Sequence, residues 1–529
     1  MIRRRDLART GAAFALAAPI TANPLRAQTR KVLRVVPHAE PQVFDPHQSQ
    51  VNITSMHAAM VYDTLFSWDA AMVPRPQMVD TWSKSEDGLL YRFTLRPGLI
   101  FHDGTPVTTR DVVATLKRLL VRDTQNQILA GLLVSLDPVD ERTFTLRLKE
   151  PFGYVEFMLS GSNGVSGGIM REKEALTDPF TPIREIVGSG PFRFVQAEYR
   201  PGARLVYERF EGYVPRAEPS SGFAGGKRVL VDRVEWVVIP DAATAFSALR
   251  RGEVDFVDAP ALDLLPTIAN DRNITIGEVW PIETYGVLRF NHLHPPFNNV
   301  LARRAVAHAV SQRDYMAAAY GDEKYWRECY GFWICGSPNG TEAGSEAYRK
   351  PDLDRARALL AESGQRGAKV VLIGGSDVQA FKQMSLVTTD LLNRIGFNVD
   401  LQLSDWGSVA ARRAKKDAPD QGGWNIFHTA ANGAQLASPL TSPSTIMTCD
   451  GRNFVGWPCD AEGEALRQRY IREADGTAQQ QLIETMHRRL WETLPYVPLG
   501  QFRQPFLWRN NIVGVPRANT LVFWNIDKT

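Results

Sequence analysis

The chain reads as an α/β protein with mixed sheets, and three observations carry that reading. Short apolar, β-branched runs such as Val32–Val36 (VLRVV) and Val234–Ile239 (VEWVVI) alternate with helical stretches along the whole length. Tyr91, Phe93 and Leu95 alternate with Arg92, Thr94 and Arg96, the period of a half-buried strand. Pro201-Gly202, between Phe192–Tyr199 and Arg204–Glu208, is a hairpin turn, so the sheets are not purely parallel. At 529 residues the chain exceeds one ordinary core, and two or three domains are expected.

The first residues read as an export leader. Arg3-Arg4-Arg5 precedes a short Ala-rich apolar run that ends at Pro19, and Leu25-Arg26-Ala27 supplies a small residue at the cut. Arg4-Arg5-Asp6-Leu7 favours the twin-arginine route over the general one. Residues 1–27 are therefore expected to be removed, with Gln28 as the mature start. No Cys follows the apolar run, which excludes a lipid anchor there. No later stretch approaches the length of a membrane span, and mean hydropathy is -0.23, so a soluble, periplasmic protein is expected. The net charge of +3 is carried by the leader arginines; without them it falls to about −1, which gives no footprint for nucleic acid.

Taken in order, Val32–Val36 is a strand, and Ser55, Ala58, Ala59, Val61 and Tyr62 share a helix. Phe66 and Trp68 close that segment. After the strand around Tyr91–Leu95, Pro97-Gly98 turns and Leu99–His102 restarts a strand. Thr108 is placed as an N-cap with Asp111 three residues on, ahead of Val112, Val113, Leu116, Leu119 and Leu120 at helical spacing. Thr143–Leu148 alternates as a strand. Ala242–Arg250 is a helix, followed by a strand at Phe256-Val257. Val287–Phe290 is a strand, and Asn298–Val310 and Asp354–Ala361 are helices. Val370–Ile373 and Val399–Leu403 are strands flanking the long helix Gln379–Ile395, which stops at Gly396. Ile426–His428 is a strand, Ala461–Glu473 and Ala478–Leu494 are helices, and Tyr496–Leu499 and Phe506–Trp508 are the closing strands.

The four cysteines, Cys329, Cys335, Cys449 and Cys459, are expected to pair in an exported protein. Of three connectivities the local one is favoured, Cys329–Cys335 with Cys449–Cys459; zinc would want two-residue spacings and nearby histidines. Gly164-Val165-Ser166-Gly167-Gly168 matches the nucleophile-elbow pattern of a secreted Ser hydrolase, against a Gly-rich loop as the plainer reading. His292 and His294 are close enough to suggest nickel or zinc, against solvated loop residues. His308, on an Ala/Val helix, reads as structural.

Several separated stretches then speak together. Leu89–Leu119 (LLYRFTLRPGLIFHDGTPVTTRDVVATLKRL) resembles the signature region of family 5 extracytoplasmic solute-binding proteins, the receptors of peptide- and nickel-type ABC importers. Phe44-Asp45-Pro46, Gly188-Ser-Gly-Pro-Phe192, Glu208–Tyr213, Ile239–Asp255 and Phe290–Ser311 resemble further motifs of that family in the family's order, although Phe210-Glu211-Gly212 departs from it.

The resemblance implies a two-lobed periplasmic binding protein fold, type II of the large cluster with an inserted extra domain. Residues 28–285 would form lobe I with an insertion over about 63–186. Residues 286–494 would form lobe II, and 495–529 would return to lobe I. A peptide-like or other small organic solute would be captured between the lobes and delivered to the transmembrane subunits of an ABC permease. No cofactor, no enzymatic step and no nucleic acid are implied, and the protein is expected to be a monomer. The alternative ligand is a metal chelate or a sugar-like compound. By the same resemblance, Trp406 sits in a strand-exit motif that holds a ligand-facing aromatic, and Arg413 follows at the spacing of a basic ligand contact. Relatives that grip a peptide ammonium place an Asp after the next strand. Here the segment from Phe427 to Ala434 has none and offers His428, Thr429 and Asn432. Gln50 and Asn52 are candidates from the opposite lobe, and Trp457 is a further aromatic candidate with core packing as its competing reading.

Overall fold

A computed structural model describes residues 30–529 apart from Gln50, Thr124, Ser162, Pro281, Pro338, Thr441, Arg452, Ala474 and Asp475. The leader over residues 1–27 and the candidate Gln50 therefore lie outside the described residues.

Val32–Val36 forms the centre of a seven-stranded sheet. It runs parallel to Arg233–Val237 on one side and Phe256–Val257 on the other. The full order is Ile274–Glu278, Pro505–Arg509, Phe256–Val257, Val32–Val36, Arg233–Val237, Arg204–Arg209, Phe192–Phe194. Trp236, Tyr207, Phe192, Phe506 and Phe523 fill one core of this lobe. The expected strand from Phe192 is shorter than read: it ends at Phe194, and a 3-10 turn over Gln196–Glu198 follows.

A second, six-stranded sheet has the order Trp326–Arg327, Tyr496–Phe502, Thr284–Phe290, Ile426–Asn432, Lys369–Gly375, Asn398–Ser404. Helix Gln379–Ile395 packs across it with Phe381, Met384, Leu391, Leu392 and Ile395 buried, and Gly396 ends it at φ 113°, a conformation that favours glycine. Inserted in sequence between Val32–Val36 and Phe192–Phe194 of the first sheet is a four-stranded antiparallel sheet, Val79–Lys84, Leu90–Leu95, Thr143–Leu148 and Leu133–Pro138, packed by helix Thr109–Arg122. That helix starts on the anticipated capping box: Thr108 N donates to Asp111 Oδ2 at 2.8 Å. Leu99–His102, read as a strand, is instead a loop held by a single Ile100–Pro106 bridge, because residues 99–107 fold back on themselves rather than onto the sheet.

The chain passes between the two large sheets twice. It leaves the first after Glu278 and enters the second at Thr284; it leaves the second after Phe502 and re-enters the first at Pro505. The boundary read at 494 is thus displaced: Tyr496–Phe502 pairs with Thr284–Phe290 inside the second sheet, and the return falls at Arg503-Gln504. One carboxylate ties the two crossings. Glu283 accepts from Arg503 Nε at 3.1 Å, from Arg327 Nε at 2.8 Å and from Gln501 Nε2 at 2.6 Å, while Arg503 Nη1 lies 3.8 Å from Glu278 on the first sheet. The lobes touch in this structure. Pairs this exposed are worth about 0.2–1 kcal/mol each, so Glu283→Gln should shift the lobes towards separation. We expect a larger radius of gyration by X-ray scattering without ligand and an affinity weakened about 2–5-fold. Unchanged scattering and affinity would show that the cluster does not govern the hinge.

Buried histidines set an acid limit. His428 is 1 % exposed; its Nδ1 and Nε2 pair with the hydroxyls of Ser385 and Thr388 at 3.1 and 2.8 Å. Burial pushes its pKa down to about 3. His57 is pushed down to about 3, and His47, His102 and His487 to about 4, each chiefly by burial. The folded chain keeps these rings neutral where the unfolded chain, with a usual value of 6.5, takes up protons. Stability therefore falls as pH drops below about 6.5, by up to roughly 1.4 kcal/mol per pH unit for each ring. Denaturant titrations between pH 7 and 5 should show this slope, and His428→Gln, which still bonds both hydroxyls, should reduce it by close to one proton. An unaltered slope in that variant would contradict the assignment.

Candidate functional site

The seam between the lobes is where a solute would be enclosed, and both lobes supply residues to it. An ideal Cβ on Gly407, in the first turn of helix Trp406–Arg413, would lie 3.3 Å from Gln42 Cγ of the first lobe. Ala434 of the second lobe packs in one buried cluster with Trp68, Val165, Phe223, Val522 and Trp524 of the first. Asn52 accepts a 2.5 Å hydrogen bond from Thr520 Oγ1, and the preceding carbonyl, Asn519 O, accepts one from Asn432 Nδ2. The two asparagines singled out in the sequence are thus joined through the C-terminal segment across the seam. At its rim Arg472 pairs with Glu150 of the inserted sheet unit at 3.1 Å.

Several donors and acceptors at this seam are buried without a partner among the described residues: Trp68 Nε1, Trp524 Nε1, Thr284 Oγ1 and Asn519 Oδ1. Buried polar atoms are normally satisfied, so an unfilled set marks where a bound group or water would complete the network. The first lobe's nearby cation is spent: Lys227 Nζ contacts Asp63 at 2.8 Å, with the Trp524 ring 5.0 Å away.

Trp406 and Arg413 come together on one helix. Asp405 caps it, accepting from Ser408 N at 2.9 Å, and Trp406 N donates to Asp377. The indole packs on Phe381 with ring centroids 4.7 Å apart. Arg413 lies seven residues on, the same face two turns later, and its side chain reaches back along the helix. Its Cζ sits 5.4 Å from both the Trp406 and the Phe427 rings. No carboxylate pairs with it among the described residues, and burial pushes its pKa down to about 10.

Two other expected contacts are corrected. His428 points to the opposite face of its strand, under the helices, and both its nitrogens are used, so it is a packing residue. Trp457 is 6 % exposed and packs on Trp424 at 6.0 Å, inside the loop closed by Cys449–Cys459. Cys329 and Cys335 form the other bridge, so the local pairing holds. Those two cysteines and Glu342 are the one cluster of potential metal ligands among the described residues, and the disulfide occupies the sulfurs. His292 and His294 diverge, to Pro495 O and Lys416 O. Ser166 lies in a Gly-rich turn in which Gly167 N donates back to Ser160 O; no helix follows at once, so a nucleophile elbow is not formed. Trp524 and Asn519 were not singled out because the C-terminal segment gives no local sign of its position at the seam.

Two α/β lobes joined by adjacent crossings, facing each other across a seam of aromatic and polar side chains, define a hinged solute-binding protein. The chain belongs to the bacterial extracellular solute-binding proteins, family 5, whose profile (Bacterial extracellular solute-binding proteins, family 5 Middle) matches residues 73–454. It is the substrate-binding receptor of an ABC importer, and the family is extracytoplasmic. A Sinorhizobium fredii protein described as a probable peptide ABC transporter periplasmic-binding protein, y4tO, is 38% identical over 100% of this chain and 99% of its own length. The dipeptide-binding protein DppE of Bacillus subtilis is 24% identical over 92% of this chain and 90% of its own. In fold, the chain is similar to the binding protein AgaA of A. tumefaciens R10 in complex with agropinic acid, with a TM-score of 0.79 and 21% identity over 94% of this chain and 99% of that one. It is equally similar to a dipeptide-binding protein of Pseudoalteromonas sp. SM9913 in complex with Met-Leu, at TM-score 0.79 and 18% identity over 94% and 100%. No helix among the described residues is long and apolar enough to cross a membrane.

Proposed function

We propose that this receptor captures a peptide-like organic solute in the periplasm by its carboxylate, with Arg413 as the anchor, and hands it to the permease as a monomer without altering it. The observation that carries this is a guanidinium held between Trp406 and Phe427, on the helix whose first turn meets Gln42 of the first lobe, with no carboxylate against it among the described residues. A planar guanidinium matches a carboxylate in a two-pronged contact, and the stacked rings hold the fork in place before the ligand arrives. Trp406 would form one wall. Asn52 and Asn432 would close the seam through Asn519 and Thr520 once the lobes meet. A ligand touching both lobes stabilises the closed state by its differential affinity for it.

The test is a thermal-shift screen of carboxylate-bearing peptides and peptide-like acids against the mature chain and Arg413→Met, which keeps the packing on Trp406. A binder at about 100 times its Kd adds roughly 2.7 kcal/mol. We expect that shift to vanish in the variant while the ligand-free melting temperature stays put. Equal shifts in both proteins would remove Arg413 from the site.

A further inference from the structure

The second lobe carries two arginines, Arg413 and Arg289, that no carboxylate among the described residues neutralises. Beside Arg413 stands Arg289, the cross-strand partner of Phe427. Arg289 is fully buried: Nε donates to Val455 O at 2.8 Å, Nη1 to Ser444 O at 3.2 Å, and Nη2 has no partner among the described residues. Its Cζ lies 5.1 Å from the Phe454 ring and 5.7 Å from the Tyr496 ring. Burial, with a smaller contribution from the charge of Arg413, pushes its pKa down to about 9. Lys416, exposed, adds a third cation 5.6 Å from the Trp457 ring and donates to Gly451 O.

The carboxylates of the region are occupied. Asp377 accepts from Trp406 N, Asp405 caps its helix, Glu283 holds the hinge and Asp63 holds Lys227. Burying cations without counter-charge is unfavourable, so the arrangement is completed by charge supplied from outside. An ammonium group would meet the same cations as repulsion, and the strand Ile426–Asn432 offers it no carboxylate.

Resting on the reading of Arg413 as a carboxylate anchor, we infer that the solute is a net anion: one carboxylate engages Arg413, a second acidic group lies in the field of Arg289, and no free ammonium is present. Selectivity is then for acidic, amine-blocked compounds over ordinary peptides.

The test uses the mature full chain, freed of co-purified ligand by unfolding and refolding, in calorimetric titrations with matched probes. These are Ala-Leu, N-acetyl-Ala-Leu, N-succinyl-Ala-Leu and N-succinyl-Ala-Leu amide, together with N-(1-carboxyethyl) amino acids as acidic compounds without a peptide bond. We expect N-succinyl-Ala-Leu to bind at least about tenfold more tightly than the acetyl form, and Ala-Leu to bind most weakly. The affinity of the succinyl form should fall more steeply with added salt than that of the acetyl form. Arg413→Met should cost it about 30-fold or more. Tight binding of Ala-Leu, at or above the succinyl form, would overturn the net-anion inference and leave the peptide reading standing. Binding of the carboxyethyl amino acids alone would support the inference and overturn the peptide reading. No binding by any probe at millimolar concentration would overturn both.

Discussion

Two lobes joined at two adjacent points can move in few ways. The strand entering the second sheet at Thr284 and the strand leaving it at Phe502 are hydrogen-bonded neighbours, so the two crossings start side by side. Side-by-side crossings leave bending about one axis as the soft motion. The Glu283 cluster sits on that axis and draws from both crossings. Gly433 shows how tight the joint is, since an ideal Cβ there would fall 2.2 Å from Glu283 O and 2.3 Å from Ile334 Cδ1. The strand that carries Asn432 therefore runs directly from the joint into the seam. Geometry at the hinge and geometry at the binding face are set by the same few residues.

Three of the family motifs do a different job: Phe44-Asp45-Pro46, the signature region and Gly188-Ser-Gly-Pro-Phe192 are joints within the first lobe. Asp45, of Phe44-Asp45-Pro46, forms a fully buried pair with Arg118 on the inserted unit's helix at 2.8 Å, and Arg118 also donates to the carbonyls of Thr177, Asp178 and Thr181. His102, from the signature region, clasps Gly188-Ser-Gly190. Its N donates to Gly188 O, Nδ1 accepts from Gly188 N, and Nε2 donates to Gly190 O. That pattern needs the neutral ring, which burial enforces. Both glycines are required by space: a Cβ on Gly188 would lie 1.9 Å from Val61 O, and one on Gly190 2.6 Å from Met60 O. The most recognisable parts of the chain thus fasten the insertion to the lobe and leave ligand choice elsewhere.

The same division explains what could be read from the residues alone. Helices with strong periodicity and a clear stop, such as Gln379–Ile395 before Gly396, were legible to their ends because local rules decide them. Ile426–Asn432 was read only to His428, since Thr429–Asn432 is strand through pairing with Thr284–Val287 rather than through propensity. The boundary at 494 missed for a related reason: Tyr496–Phe502 and Pro505–Arg509 look alike in sequence, and only long-range pairing assigns them to different sheets. Within the candidate site, Trp406 and Arg413 come together because they share a helix. His428 lies on the helix-covered face of its strand, and a strand's two faces cannot be told apart without knowing which one the helices cover. Asn519 and Thr520 came from a segment with no pattern of its own.

With Arg413 as the proposed anchor, its placement would reconcile tight capture with release. A cation in a fully buried salt bridge loses its solvation on folding and recovers it only by breaking the bridge, which costs several kcal/mol. Arg413 is half-buried with no carboxylate beside it among the described residues, and two aromatic faces offset part of the solvation it has already lost. The open protein therefore keeps the guanidinium oriented without a competing carboxylate. Lobe closure strengthens its contact with a bound anion by excluding water, and opening weakens it again. A receptor that must hand over its cargo benefits from an anchor whose strength depends on the hinge. Arg289, locked beneath the loop by Val455 and Ser444, adds a fixed positive field that does not move with the ligand. On the proposed reading one cation would grip and the other would bias, so the charge preference would persist even as the grip is released.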